Sequence, residues 1–173
     1  AASNFGATTV NGGTLVLGTL TSTAATVNTD GTLAVSSGAT ASVSGDYNQI
    51  GNGIFRTHIA DVTPFGRLNV AGDVNLPPST RLDARVQNCS AIIPGTTLIG
   101  VVSSGSPIIA DTILVTDNCP GLSFTATLGS NGQTIDMTAG LSAAAIPTLS
   151  QWALIGLAML IAGIGLLQRR RTR

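Results

Sequence analysis

The sequence predicts an all-β body, a parallel β-helix (β-solenoid), followed by a single C-terminal transmembrane α-helix. Three observations point there. Lys and Glu are absent from all 173 residues while Thr and Val abound. A Gly-Thr-Leu run recurs along the chain, and a long uncharged stretch precedes a terminal group of arginines.

Lys and Glu are the commonest residues of solvated helical faces, and no Leu-rich helical periodicity replaces them. Thr and Val have branched β-carbons that restrict χ1 and suit a pleated surface better than a helix. The β reading holds as far as a compositional break near Ala143. Before it Gly, Thr, Ser, Ala, Val, Asn and Asp dominate; after it almost everything is apolar until the arginines. The expected organisation is therefore a β-solenoid region over 1–142, a linker over 143–151, and a membrane helix with its arginine tail over 152–173.

Charge divides at the same place. All eight acidic residues are Asp and precede the break, offset there by Arg56, Arg67, Arg81 and Arg85, for a net charge of −4 from the residues named. A nucleic-acid binder needs a basic face to neutralise phosphates, and this part is expected to have none, so nucleic acid is not an expected partner. The chain begins at Ala1 with neither Met nor a signal-peptide core. It is either a mature form or a fragment of something longer. Its first residues already read as the middle of a repeat, which favours the fragment.

Gly13-Thr14-Leu15-Val16-Leu17 returns eighteen positions later as Gly31-Thr32-Leu33-Ala34-Val35, with a looser echo in Gly66-Arg67-Leu68-Asn69-Val70. Shorter β-prone runs, Ala25-Thr26-Val27 and Ala41-Ser42-Val43, lie nearby, bounded by turn residues. One short coil cannot bury its inward face unless neighbours stack on it, which is the logic of a solenoid. A β-sandwich with hairpin turns also accommodates strands at such spacings.

The next segment favours the solenoid. Gly45-Asp46-Tyr47-Asn48-Gln49, then Gly53-Ile54-Phe55-Arg56-Thr57-His58-Ile59, then Phe65-Gly66-Arg67-Leu68-Asn69-Val70-Ala71-Gly72-Asp73-Val74 resembles the C-terminal end of autotransporter-type β-helix passengers. The stretches Gly95-Thr96-Thr97-Leu98-Ile99 and Leu122-Ser123-Phe124-Thr125-Ala126-Thr127 resemble their closing coils, so the likeness covers about residues 10 to 138. It implies a fold and a surface role, not a chemistry. The chain departs from those proteins in lacking the long set of amphipathic strands from which an outer-membrane barrel is built.

From Trp152 to Leu167 the chain runs sixteen residues without a charge, then passes through Gln168 to Arg169, Arg170, Arg171 and Arg173. A helix of that length spans about 24 Å, and extension back through Leu149 with snorkelling arginines brings it to the roughly 30 Å of a bilayer core. A buried helix of a soluble core normally keeps a polar face, and this stretch has none. Trp152 at one end and arginines at the other predict an interfacial anchor and a cytoplasmic arginine cluster. Membrane lipid is then an expected partner.

Ile146-Pro147-Thr148-Leu149-Ser150-Gln151-Trp152 precedes this stretch, and the unit from about 146 to 171 resembles the IPTL-type C-terminal protein-sorting signal (IPTL-CTERM) of Gram-negative bacteria. The resemblance implies recognition by an exosortase-like membrane protease that cuts near the motif, with Ile146, Pro147, Thr148 and Leu149 as recognition elements and Trp152 beside them. Pro147 lacks an N–H and holds the preceding residue extended, as a protease substrate needs to be; a plain helix cap is the alternative. The implied setting is the Gram-negative cell envelope, at the inner membrane before processing and at the cell surface or outside the cell afterwards.

In an exported protein the pair Cys89 and Cys119 is expected to form a disulfide, two free thiols being the alternative. No metal site is expected, since His58 stands alone and no Cys-x-x-Cys or Gly-Gly-x-Gly-x-Asp repeat occurs. No cofactor is expected either. Half of the Asp residues sit beside Gly or Asn, where turn chemistry accounts for them, and no Gly-x-Ser-x-Gly elbow is present. The function expected is therefore noncatalytic, in adhesion or biofilm, with a surface polysaccharide or matrix as partner. The alternative is a secreted carbohydrate-active β-helix enzyme, a lyase or hydrolase, with Asp61, Asp83 and His58 as its candidate groups.

Overall fold

The computed structural model describes residues 3–142 apart from Ser79, with the side chains of residues 3–5 and Leu20 also left undescribed. Thirteen strands form one mixed sheet, curled as a half-barrel around a single core. They are β1 (Ser3–Leu17), β2 (Leu20–Val35), β3 (Thr40–Val43), β4 (Tyr47–Gln49), β5 (Ile54–Ile59), β6 (Arg67–Val70) and β7 (Val74–Leu76), followed by β8 (Thr80–Val86), β9 (Thr97–Ser104), β10 (Ile109–Ala110), β11 (Ile113–Asp117), β12 (Leu122–Leu128) and β13 (Thr134–Leu141).

The first eleven strands pair in parallel. β1 lies along β2, and β2 then carries β3, β4 and β5 in turn along its length. Three ladders continue from there, β3 to β6 to β9, β4 to β7 to β10, and β5 to β8 to β11. Parallel register stacks like side chains. Leu15, Leu33, Phe55, Leu82 and Val115 form one inward column, and Ala41, Leu68 and Val102 another. Alternation along each strand does the rest: β3, β5 and β6 bury every second residue.

Glycine opens these runs for a steric reason. A Cβ on Gly31 would lie 2.3 Å from the carbonyl oxygen of Val10, and one on Gly66 would lie 2.3 Å from that of Val35. The backbone of the preceding coil passes where a side chain would stand.

A clean parallel β-helix is not what forms, and the expectation is corrected on two counts. The offset between stacked partners is not constant: Gly13 lies beside Gly31, Thr32 beside Ile54, Ile54 beside Arg81 and Arg81 beside Leu114, so each turn is longer than the one before. The sheet also reverses direction at its end. β12 and β13 form a hairpin, and β13 pairs antiparallel with β9. Gly129-Ser130-Asn131-Gly132 makes that hairpin turn, with Gly132 at φ 69° and its N–H donating to the Gly129 carbonyl. It is a hairpin signal between two alternating runs, which the reading as closing coils passed over. The reversal caps the parallel ladder that ends in β9, whose free edge would otherwise offer unpaired backbone groups.

The expectation of a transmembrane helix, and with it of inner-membrane anchorage, is corrected as far as the described residues go. The described residues contain one 3-10 turn, Cys89–Ala91, and no helix among them is long and apolar enough to cross a membrane. The stretch 152–173, on which that helix was placed, lies outside the described residues, as does the linker 143–151.

Candidate functional site

A group of charged side chains stands on the outer face of β5 and β8, with Thr116 of β11 beside it. Phe55, Thr57 and Ile59 of β5 and Leu82, Ala84 and Val86 of β8 turn inward and are buried. Strand alternation therefore sends Arg56 and His58, together with Arg81, Asp83 and Arg85, to the other face. The parallel register sets Arg56 beside Asp83, His58 beside Arg85, and Thr116 on the far side of Asp83.

Asp83 is the hub. Its Oδ2 accepts from Arg56 Nε at 2.6 Å and from Arg85 Nε at 2.9 Å, while Oδ1 accepts from the Thr116 hydroxyl at 3.0 Å. The two arginines cover it so fully that it is 2% exposed, although it points away from the core. Burial lowers the pKa of His58, the Arg56 guanidinium lowers it further, Asp83 opposes the shift and Arg85 adds to it. Its imidazole thus experiences more positive than negative charge from its neighbours.

This grouping is the feature that sequence reasoning missed. Three of the four arginines before residue 143 stand together, although the chain presents them singly. The signal was the column of partners, Ile54 with Arg81 and Arg56 with Asp83, which becomes visible once the register is known. The fourth arginine, Arg67, lies apart, its guanidinium carbon 4.5 Å from the centre of the Phe65 ring.

Asp61 and Asp83 are each engaged with other groups. The Asp61 carboxylate accepts from the Val62 N–H at 2.6 Å within its own loop, and both oxygens of Asp83 are engaged as described. Among the described residues no group of three or more His, Cys, Asp or Glu side chains could hold a metal ion.

Cys89 and Cys119 are joined as a disulfide. It links the turn after β8 to the turn after β11, the two strands that pair beside the arginine face. Next to it Asn118 extends their ladder through its side chain: Oδ1 accepts from the Val86 N–H at 2.8 Å and Nδ2 donates to the Val86 carbonyl at 3.0 Å. Under the same sheet, Tyr47 donates from its hydroxyl to Gln49 Oε1 at 3.2 Å, and Gln49 Nε2 donates to the carbonyls of Gly53 and Arg81. Elsewhere an open groove of about 400 Å³ runs beside Asn48, Ile50, Asn75 and Ile109, with no ionisable side chain in its lining.

The sorting residues Ile146, Pro147, Thr148, Leu149 and Trp152, and the tail residues Arg169, Arg170, Arg171 and Arg173, lie outside the described residues. No curated protein and no solved structure matches the chain. Residues 144–171 match the IPTL-CTERM motif, so the chain carries a C-terminal sorting signal of that type.

Proposed function

We propose that this is an exported protein whose C-terminal signal is processed by an exosortase-type protease, that it then resides at the cell surface or in the extracellular matrix, and that it acts noncatalytically in adhesion or biofilm. The match of residues 144–171 to the IPTL-CTERM motif carries the proposal. The disulfide supports it, because such bonds persist in oxidising compartments outside the cytosol. The noncatalytic part is supported by the carboxylates. Asp83 serves two arginines and a threonine, and Asp61 its own turn, which leaves neither poised as an acid or a base toward a sugar.

Mass spectrometry of the mature protein from its native host tests the processing step. The expected C-terminus falls near Ile146 to Leu149, and Pro147→Ala is expected to slow cleavage by restoring an N–H and relaxing the extended conformation. A surface form that still ends at Arg173 rejects it.

A further inference from the structure

We propose that the outer face of β5, β8 and β11 binds an acidic polysaccharide, a polymer bearing one carboxylate per sugar ring, through Arg56, Arg81 and Arg85. The surface placement argued above supplies the setting for this binding, which is a separate property of the folded β-sheet.

The face is a local inversion of charge on an acidic body. It holds three guanidinium groups and a single carboxylate, and that carboxylate is 2% exposed. Arg56 and Arg85 both meet Asp83 through Nε, which leaves their Nη hydrogens available to a second acceptor. Arg81 is exposed and has no carboxylate partner among the described residues. A guanidinium is a planar fork that pairs well with carboxylates. Tethering two such forks to a buried anion fixes them before a ligand arrives and reduces the entropy lost on binding. The depressed pKa of His58 in their midst, after the contribution of burial, is in keeping with a net positive field.

Spacing selects the kind of polyanion. Neighbouring strands lie about 4.8 Å apart, and same-face residues along a strand about 6.6 Å apart. Arg56 and Arg85 converge from that grid onto one oxygen of Asp83, with Arg81 farther along the same strand face, and so few, discrete cationic points suit a chain with one carboxylate per ring. A DNA duplex carries one charge per roughly 1.7 Å of its axis and calls for a longer basic track than three arginines on a body with excess Asp. Single strands call for aromatic platforms, and Tyr47, Phe55, Phe65 and Phe124 are all buried.

Titration calorimetry of the full chain with polygalacturonate at low salt tests the proposal, with methyl-esterified polygalacturonate and a DNA duplex as further arms. Binding of polygalacturonate is expected, with its affinity reduced about tenfold or more in R81Q/R85Q, as for loss of charge-assisted contacts. Arg81→Gln alone, which leaves both Asp83 ion pairs in place, is expected to weaken binding without moving the thermal midpoint, and Arg67→Gln is expected to change nothing. Masking the carboxylates as esters is expected to abolish the heat. Absence of binding, equal binding by R81Q/R85Q and the parent, survival of binding to the ester, or a tighter complex with the duplex would each overturn the proposal. An uncut tail in mass spectrometry sinks the processing step and leaves this titration untouched, so the two failures are distinguishable.

Discussion

Arg56 and Asp83 stand 27 residues apart in the chain and side by side in the sheet, Nε to Oδ2 at 2.6 Å. The contact exists because β5 and β8 pair in parallel with Ile54 opposite Arg81, which brings every second residue of the two strands onto one face. Arg85, two positions along from Asp83, closes on the same oxygen.

Asp83→Ala is expected to destabilise the fold by about 2 kcal/mol. Removing one partner of a buried pair costs about 3–5 kcal/mol, and the partial exposure of Arg56 and Arg85 lets water take up part of that loss. Arg85→Gln is expected to cost under about 1 kcal/mol, because that side chain is 42% exposed and Arg56 still holds the carboxylate. Urea unfolding measures both. Equal effects of the two substitutions would remove Asp83 from its role as hub.

The β character of the body was legible in its composition, and one pairing, that of β1 with β2, in its repeats. Gly13 through Leu17 and Gly31 through Val35 do lie side by side, in register. What the chain did not disclose was the length of each turn. After Val35 the partners drift apart in sequence, so Phe55 takes Leu82, and Leu82 takes Val115, with no repeated motif to mark them. The arginine face was hidden for the same reason, since its members come from positions whose adjacency depends on that drifting offset. The hairpin of β12 and β13 is legible in Gly129 to Gly132, a turn signal between two alternating runs that a resemblance to closing coils does not include.

Glycine positions separate steric need from simple turn preference. Gly31→Ala and Gly66→Ala each drive a Cβ to 2.3 Å from a backbone carbonyl oxygen that cannot rotate away. Each is expected to cost about 2–3 kcal/mol, in the range for overpacking. Gly12 meets nothing within 4 Å, so Gly12→Ala is expected to stay within about 0.5 kcal/mol of the parent. Thermal unfolding of the three variants gives the order. A Gly66→Ala protein as stable as Gly12→Ala contradicts the close passage of Val35.

The disulfide closes a separation of 30 residues between the ends of β8 and β11. In the chain-entropy account a loop of that size contributes about 3.5 kcal/mol. The double substitution of Cys89 and Cys119 by Ala is expected to lower the urea midpoint accordingly, with the slope of the transition showing whether the unfolded chain has expanded. An unchanged midpoint would mean that Asn118 and the ladder of β8 with β11 hold this corner unaided.

Tyr47 provides a pH dependence with a single source. Burial pushes its phenol well above its ordinary value, so the native state keeps the proton while an unfolded chain loses it near pH 10. The unfolded state then binds fewer protons than the native one, and stability must fall as pH rises past that point, by up to about 1.4 kcal/mol per pH unit. The sequence isolates the effect: Tyr47 is the single tyrosine, no lysine is present, and both cysteines are paired. Tyr47→Phe is expected to lose about 1 kcal/mol at neutral pH with the hydrogen bond to Gln49, and to hold its stability level between pH 10 and 11 where the parent declines. Urea midpoints across that window decide the matter. A parallel decline in both proteins would place the alkaline transition elsewhere and leave the buried phenol without a part in it.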